Sequence, residues 1–163
     1  MKKIKYLLLL VVGLLVFAGC TLTPKFTLRN TTWYARDKSE MVFGDQGTFA
    51  WYQKETDHYD NYYKGTYKLY VGRSAKNHIV NDLESFGVTA EELDGLISRN
   101  DDYKLENLIV FDITYTDYRY LGKDLLTGTK TTSWYGFLND TQNTFSVADM
   151  SSANTFVFTK KAM

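Results

Sequence analysis

The sequence predicts a mainly β protein of the α+β kind: an antiparallel barrel or sandwich of about eight strands, with a helical pair inserted near residues 74–99. Three observations carry this reading. Aromatic residues are 16% of the 163-residue chain, with 13 tyrosines and 10 phenylalanines, and such rings pack well on pleated strands. Proline occurs once, at Pro24, so nothing downstream interrupts a strand ladder. The apolar residues alternate with period two along most of the chain and switch to a helical period in one central stretch.

Taken in order, residues 31–36 form a first strand that carries Trp33. Residues 40–43 and 48–53 make a hairpin around Gly44-Asp45-Gln46-Gly47, with Phe49 and Trp51 on one face of the second arm. Residues 54–60 are polar and are expected as a loop. Residues 61–71 alternate again. Tyr63, Gly65, Tyr67 and Leu69 point one way, which predicts core or cavity, whereas Tyr62, Thr66 and Tyr70 share a face expected to be wet. Ala75, Ile79 and Leu83 then recur every fourth residue, a helix stripe begun at Ser74 and stopped at Gly87. Thr89-Ala90-Glu91-Glu92 reads as a capping box with Val88 and Leu93 as its hydrophobic staple, so a second helix follows and ends by Asn100. Strands resume at 107–116, extended by Tyr118 and Tyr120, with Ile109, Phe111, Ile113 and Tyr115 on one side. A hairpin tip at 122–128 leads to a strand at 131–138 with Trp134, and strands at 144–148 and 155–160 close the domain.

The N-terminus has a separate logic. Lys2, Lys3 and Lys5 precede an apolar run, small residues Ala18 and Gly19 follow, and Cys20, the one cysteine of the chain, comes next. A basic start, a short apolar core and a small-residue exit describe a secretory signal. The apolar run from Leu7 to Ala18 falls short of the roughly 20 residues that a membrane-spanning helix needs. Phe17-Ala18-Gly19-Cys20 resembles the lipobox of bacterial lipoproteins, with Phe17 where leucine is usual. The resemblance implies cleavage before Cys20 and attachment of acyl chains there, which leaves three parts: a signal peptide at 1–19, a lipidated cysteine and short tether at 20–29, and one β-rich domain at 30–163. Two or more acyl chains hold a protein stably on a membrane. Residues 21–25 would reach only about 17 Å when extended, which keeps the domain near the surface.

The strand order is also similar to that of small bacterial lipocalin-like domains. Trp33 in the first strand, Phe43-Gly44-Asp45-Gln46-Gly47-Thr48-Phe49, Gly65-Thr66-Tyr67 and Phe156-Val157-Phe158-Thr159-Lys160 carry the likeness, over about two-thirds of the mature chain. Thr31 stands two residues before Trp33, where lipocalins proper have glycine. The resemblance implies a β-cup for an apolar or aromatic ligand, with the helical pair as an addition that leaves the barrel incomplete or plugs one end.

Charge excludes some partners. Removing residues 1–19 takes away three lysines and no acid, which leaves 16 basic against 19 acidic residues, a net charge of about −3. Nucleic acid needs a basic face and is not expected as a partner. Once Cys20 is consumed, no thiol remains for a disulfide, a metal or redox work. The two histidines sit apart: His58 in Asp57-His58-Tyr59-Asp60, read as a solvated loop, and His78 on the first helix, read as surface. No metal site is expected from them, since metals need three or four converging ligands. No G-x-S-x-G, H-E-x-x-H or phosphate loop occurs, so neither catalysis nor a cofactor is expected; a carboxylate pair acting as a hydrolase is the enzymatic alternative.

These readings converge on a membrane-anchored, extracytoplasmic, non-enzymatic domain. Its expected contact residues are Trp33, Trp51, Tyr67, Phe111 and Trp134 as the lining of a cup for a small apolar or aromatic ligand. Tyr62 and Tyr70 are expected as an outward tyrosine face for an envelope protein. The alternative is an interaction module, such as an immunity or inhibitor lipoprotein.

Overall fold

Alternating side chains roll the sheet into a closed barrel. The computed structural model describes residues 26–54, 56–149 and 151–160; the lipobox and Cys20 lie outside them. The strands are β1 (Thr31–Ala35), β2 (Glu40–Phe43), β3 (Thr48–Lys54), β4 (Asp57–Val71), β5 (Leu108–Tyr120), β6 (Lys123–Asp124), β7 (Lys130–Leu138), β8 (Thr144–Asp149) and β9 (Asn154–Thr159). Each strand pairs antiparallel with its neighbour in sequence, except that the two-residue β6 folds back on β5 and β7 pairs with β5 directly. β9 returns to β1 through Tyr34↔Thr159 and Ala35↔Phe158 and closes an eight-stranded meander, with β6 as a short flap on β5. The choice between barrel and sandwich is therefore settled as a barrel, and it is complete.

Inward residues of every long strand meet in one core. Trp33, Phe43, Phe49, Phe111, Trp134, Phe145 and Phe158 are all buried there. Trp33 lies 4.7 Å from Phe145 and Phe111 5.4 Å from Phe145, centroid to centroid, which is contact range for rings. Two inward glycines let neighbouring backbones come close: a Cβ on Gly65 would sit 1.9 Å from the Thr114 carbonyl oxygen, and one on Gly136 1.8 Å from that of Ser146.

Helices α1 (Arg73–Leu83) and α2 (Ala90–Ser98) form the expected pair. Gly72, at φ 63°, turns the chain out of β4 into α1, and Ser74 bonds back to the Val71 backbone instead of starting the helix. Thr89 and Glu92 make both hydrogen bonds of the capping box. The pair does not plug an end. Ala75, Ile79 and Leu93 pack against Leu108 and Val110, the outward residues of β5, so the helices cover the barrel's outer wall.

Other expectations shift too. Residues 57–60, read as loop, begin β4. Asp57 caps the amides of Tyr59 and Asp60 and accepts from the Asn61 amide, while His58 stacks on Tyr52 at 3.8 Å, so these side chains are engaged within the hairpin. Residues 26–29, read as tether, belong to the packed body: Phe26 and Leu28 are buried in the core. Among the described residues no helix is long and apolar enough to cross a membrane.

Candidate functional site

The two ends of the barrel are built differently. At one end the segment 26–29 packs over the opening and leaves, beside Gln46, Gly47 and Tyr67, a shallower surface groove of about 630 Å³. Phe26 meets Trp33 edge-on at 6.3 Å, Leu28 is buried, and the Thr31 hydroxyl donates to the Leu28 carbonyl while accepting from the Trp33 indole. At the other end lies a half-open cavity of about 450 Å³, within the size range of small-molecule sites. Trp51 and Trp134 form its floor, Tyr63, Tyr115 and Tyr118 one wall, and Phe156 with Asp149, Ser151 and Ser152 the other. Lys130, Gln53 and Asn154 contribute polar rim.

A β-bulge builds the tyrosine wall. Gly65 pairs with Tyr115, but Lys64 pairs with Asp117, so the register slips by one residue. Tyr115 and Tyr118, three apart, then both reach the cavity, which strict alternation forbids. Tyr118 stacks on Tyr63 at 4.2 Å. Burial, then the hydroxyl and charge of Tyr118, push the Tyr63 phenol far above its ordinary range. Burial, then the Asp149 charge, do the same to Tyr115. Both phenols are neutral donors at physiological pH.

Asp149 is the buried charge of the mouth. Its burial alone would raise the carboxyl pKa. Hydrogen bonds from the hydroxyls of Ser151, Ser152 and Thr132 and from the Ser151 amide outweigh that and hold it below the usual carboxylate range. Three of those donors share Oδ1, whereas Oδ2 receives only Ser152 and retains capacity for a ligand donor. The indole N–H groups of Trp51 and Trp134 are buried and donate to no protein acceptor. Each such group costs about 1–3 kcal/mol unless something beside it accepts.

The expected contact residues divide. Trp51 and Trp134 reach the mouth. Trp33 and Phe111 lie within the packed core, so the cup is shallower than the sequence implies. Tyr67 packs on Phe43 at 4.9 Å toward the closed end. Tyr62 and Tyr70 do face outward, but not to water. Tyr62 is 7% exposed, donates to Asp117 and lies under the Lys64 ammonium. Tyr70 sits beneath α1 with its ring on His78 at 4.1 Å. Of the face expected to be wet, Tyr62 is buried, Tyr70 is half-buried and Thr66 is exposed. Tyr63, expected on a core or cavity face, does line the mouth, whereas Tyr115, Tyr118, Phe156 and Asp149 are mouth residues that the sequence pattern did not assign to a site.

A second cluster lies on the outer wall, and here the surface reading of His78 is corrected. His78 Nε2 is 2.9 Å from Asp112 Oδ1 and 3.3 Å from Asp82 Oδ2. His78 and Asp82 are one turn apart on α1, and Asp112 points outward from β5. Ser133 donates to Asp112 at 2.9 Å and Tyr135 to Asp82 at 3.1 Å. Burial first, then the nearby Asp82 and Asp112 carboxylates, push the Tyr135 phenol up to about 12, against an opposing hydrogen bond with Ser133. Three donor atoms that could hold a divalent cation thus lie within 4.8 Å of one another.

Compared with known proteins, the chain matches no family model, no curated protein and no solved structure.

Proposed function

We propose that this chain is a membrane-anchored extracytoplasmic lipoprotein whose barrel mouth binds a small aromatic or apolar ligand without catalysis. The observation that carries the binding reading is the half-open aromatic cavity over Trp51 and Trp134. Its rings supply apolar contact, and Asp149 Oδ2 supplies an acceptor. The anchor reading rests on the lipobox and Cys20. It fits the barrel's polarity: Phe26 enters at the closed end, so an anchor just upstream directs the mouth away from the membrane.

Tryptophan fluorescence tests the binding claim, because two of the three tryptophans line the mouth. Titration with a panel of small aromatic alcohols and acids should give saturable quenching that Tyr118→Ala weakens. A panel with no saturable member, or one indifferent to Tyr118→Ala, overturns the reading. Fractionation tests the anchor: Cys20→Ser should move the protein out of the membrane fraction or leave it as precursor.

A second reading has its own support. Tyr59 is 80% exposed and Leu121 69%, and the backbones beside them are tied together, Gly122 N–H to the Asp60 carbonyl and Leu121 N–H to the Asn61 side chain. With Tyr120 and Leu125 they make an apolar corner at the mouth end, suited to an envelope protein partner. If that reading holds, Tyr59→Ser with Leu121→Ser abolishes partner capture and leaves the fluorescence titration unchanged.

A further inference from the structure

We propose that His78, Asp82 and Asp112 form a binding site for one divalent transition-metal ion of the zinc class, which pins α1 to the outer wall of the barrel. The site is separate from the mouth and does not depend on the ligand reading.

Two carboxylate oxygens stand 2.9 and 3.3 Å from a single imidazole nitrogen. That nitrogen carries at most one hydrogen, so it cannot serve both oxygens well. Ligands bound tetrahedrally at the usual zinc distances of about 2.0–2.2 Å stand roughly 3.3–3.6 Å apart; the His78–Asp82 pair has that spacing, and the His78–Asp112 pair opens from 2.9 Å to take the ion. One cation between the three atoms serves all of them, whereas one N–H serves a single oxygen and leaves the other with its hydroxyl donor alone.

The surroundings hold each donor in place. Ser133 donates to Asp112, Tyr135 donates to Asp82, and the Tyr70 ring fixes the plane of His78 by stacking at 4.1 Å. Partners of this kind orient metal ligands and raise affinity. The donors also come from two elements, one turn of α1 and the facing strand β5, so a bound ion ties helix to sheet. Lys68, across the ladder from Asp112, sets its ammonium over the Tyr70 ring at 4.9 Å. One imidazole and two carboxylates make a mixed set that suits zinc better than the all-oxygen cages of calcium. Three protein ligands leave a fourth position for water.

The test uses the purified full chain in detergent, first freed of metal with a chelator. Zinc chloride alone is titrated by calorimetry, and cobalt(II) chloride is titrated in parallel for its visible d–d bands. The expected result is one equivalent bound with saturation, a tetrahedral-type cobalt spectrum, and a raised melting midpoint. Asp112→Asn and His78→Gln should each weaken binding by at least about tenfold, and Ser133→Ala by a similar or smaller factor. His58→Gln, at the other histidine, should leave binding unchanged. Absence of saturable zinc binding by the wild-type chain overturns the proposal before any variant is made. So does binding that His58→Gln removes, or that Asp112→Asn leaves intact.

Discussion

The two ends of this barrel use the same residue class to opposite effect. At the closed end Phe26, Leu28 and Trp33 interlock, and every polar atom of the Trp33–Thr31–Leu28 relay has a partner. At the mouth, tyrosines and tryptophans stand around a space, two indole donors go unpaired, and a carboxylate is held ionised beside them. Aromatic content thus does not distinguish core from site; satisfaction of the polar tips does. The closed end spends its rings on stability, and the mouth keeps part of their contact area for something else.

Substitutions at the two ends should separate these roles. The largest effect is expected at Trp33, which is fully buried. Trp33→Ala should lower unfolding free energy by about 3–5 kcal/mol in urea titration, and a loss below about 1 kcal/mol would mean that the closed end is no keystone. Leu28→Ala should cost about 2–4 kcal/mol by the same measurement. It also tests whether residues 26–29 belong to the domain, since a mere tether would give nothing.

At the mouth the effect should depend on pH. The folded pKa of Asp149 is depressed, so its contribution is present above the unfolded carboxyl pKa and is lost as pH falls through the folded value. Asp149→Ala should cost about 1–3 kcal/mol near neutrality, because it strands the donors around the carboxylate. The gap from wild type should narrow in acid, and a constant gap across pH would show that packing, not charge, holds the turn.

Thr89→Ala serves as a control away from both ends. Losing that cap should cost about 1 kcal/mol and leave mouth fluorescence titrations unchanged. The smallest stability effect belongs to Tyr118→Ala, at the half-buried rim, where about 1 kcal/mol or less is expected alongside weakened probe binding. Full loss of stability there would make the rim a second core and erase the contrast between the ends.

The fold was largely legible because its signals are local. Period-two runs, the Gly44-Asp45-Gln46-Gly47 turn and the Thr89 capping box each act through near neighbours. The site was less legible because it depends on distant registers. Nothing in residues 115–118 announces a bulge, since the slip arises only when β5 meets Gly65 of β4, and it alone turns Tyr118 toward the mouth. Tyr62 and Tyr70 were correctly placed outward, but the sequence does not show that Lys64 and Asp117 cover one and α1 the other. His78 looked like surface because its partner Asp112 lies 34 residues away on another element.

The seam between β1 and β9 has a consequence for how the chain folds. Its register runs only from Tyr34↔Thr159 to Ala35↔Phe158, joining the first strand to the last. Apart from β4 and β5, which are joined across the helical pair, the other strands pair with near neighbours in sequence and can zip locally; this pairing joins the first strand to the last. Closure therefore comes late, on the millisecond-to-second scale of long-range β topologies. Once folded, the same seam is where the ladder opens most readily, and its amides should exchange with solvent ahead of those in the long β4–β5 pairing.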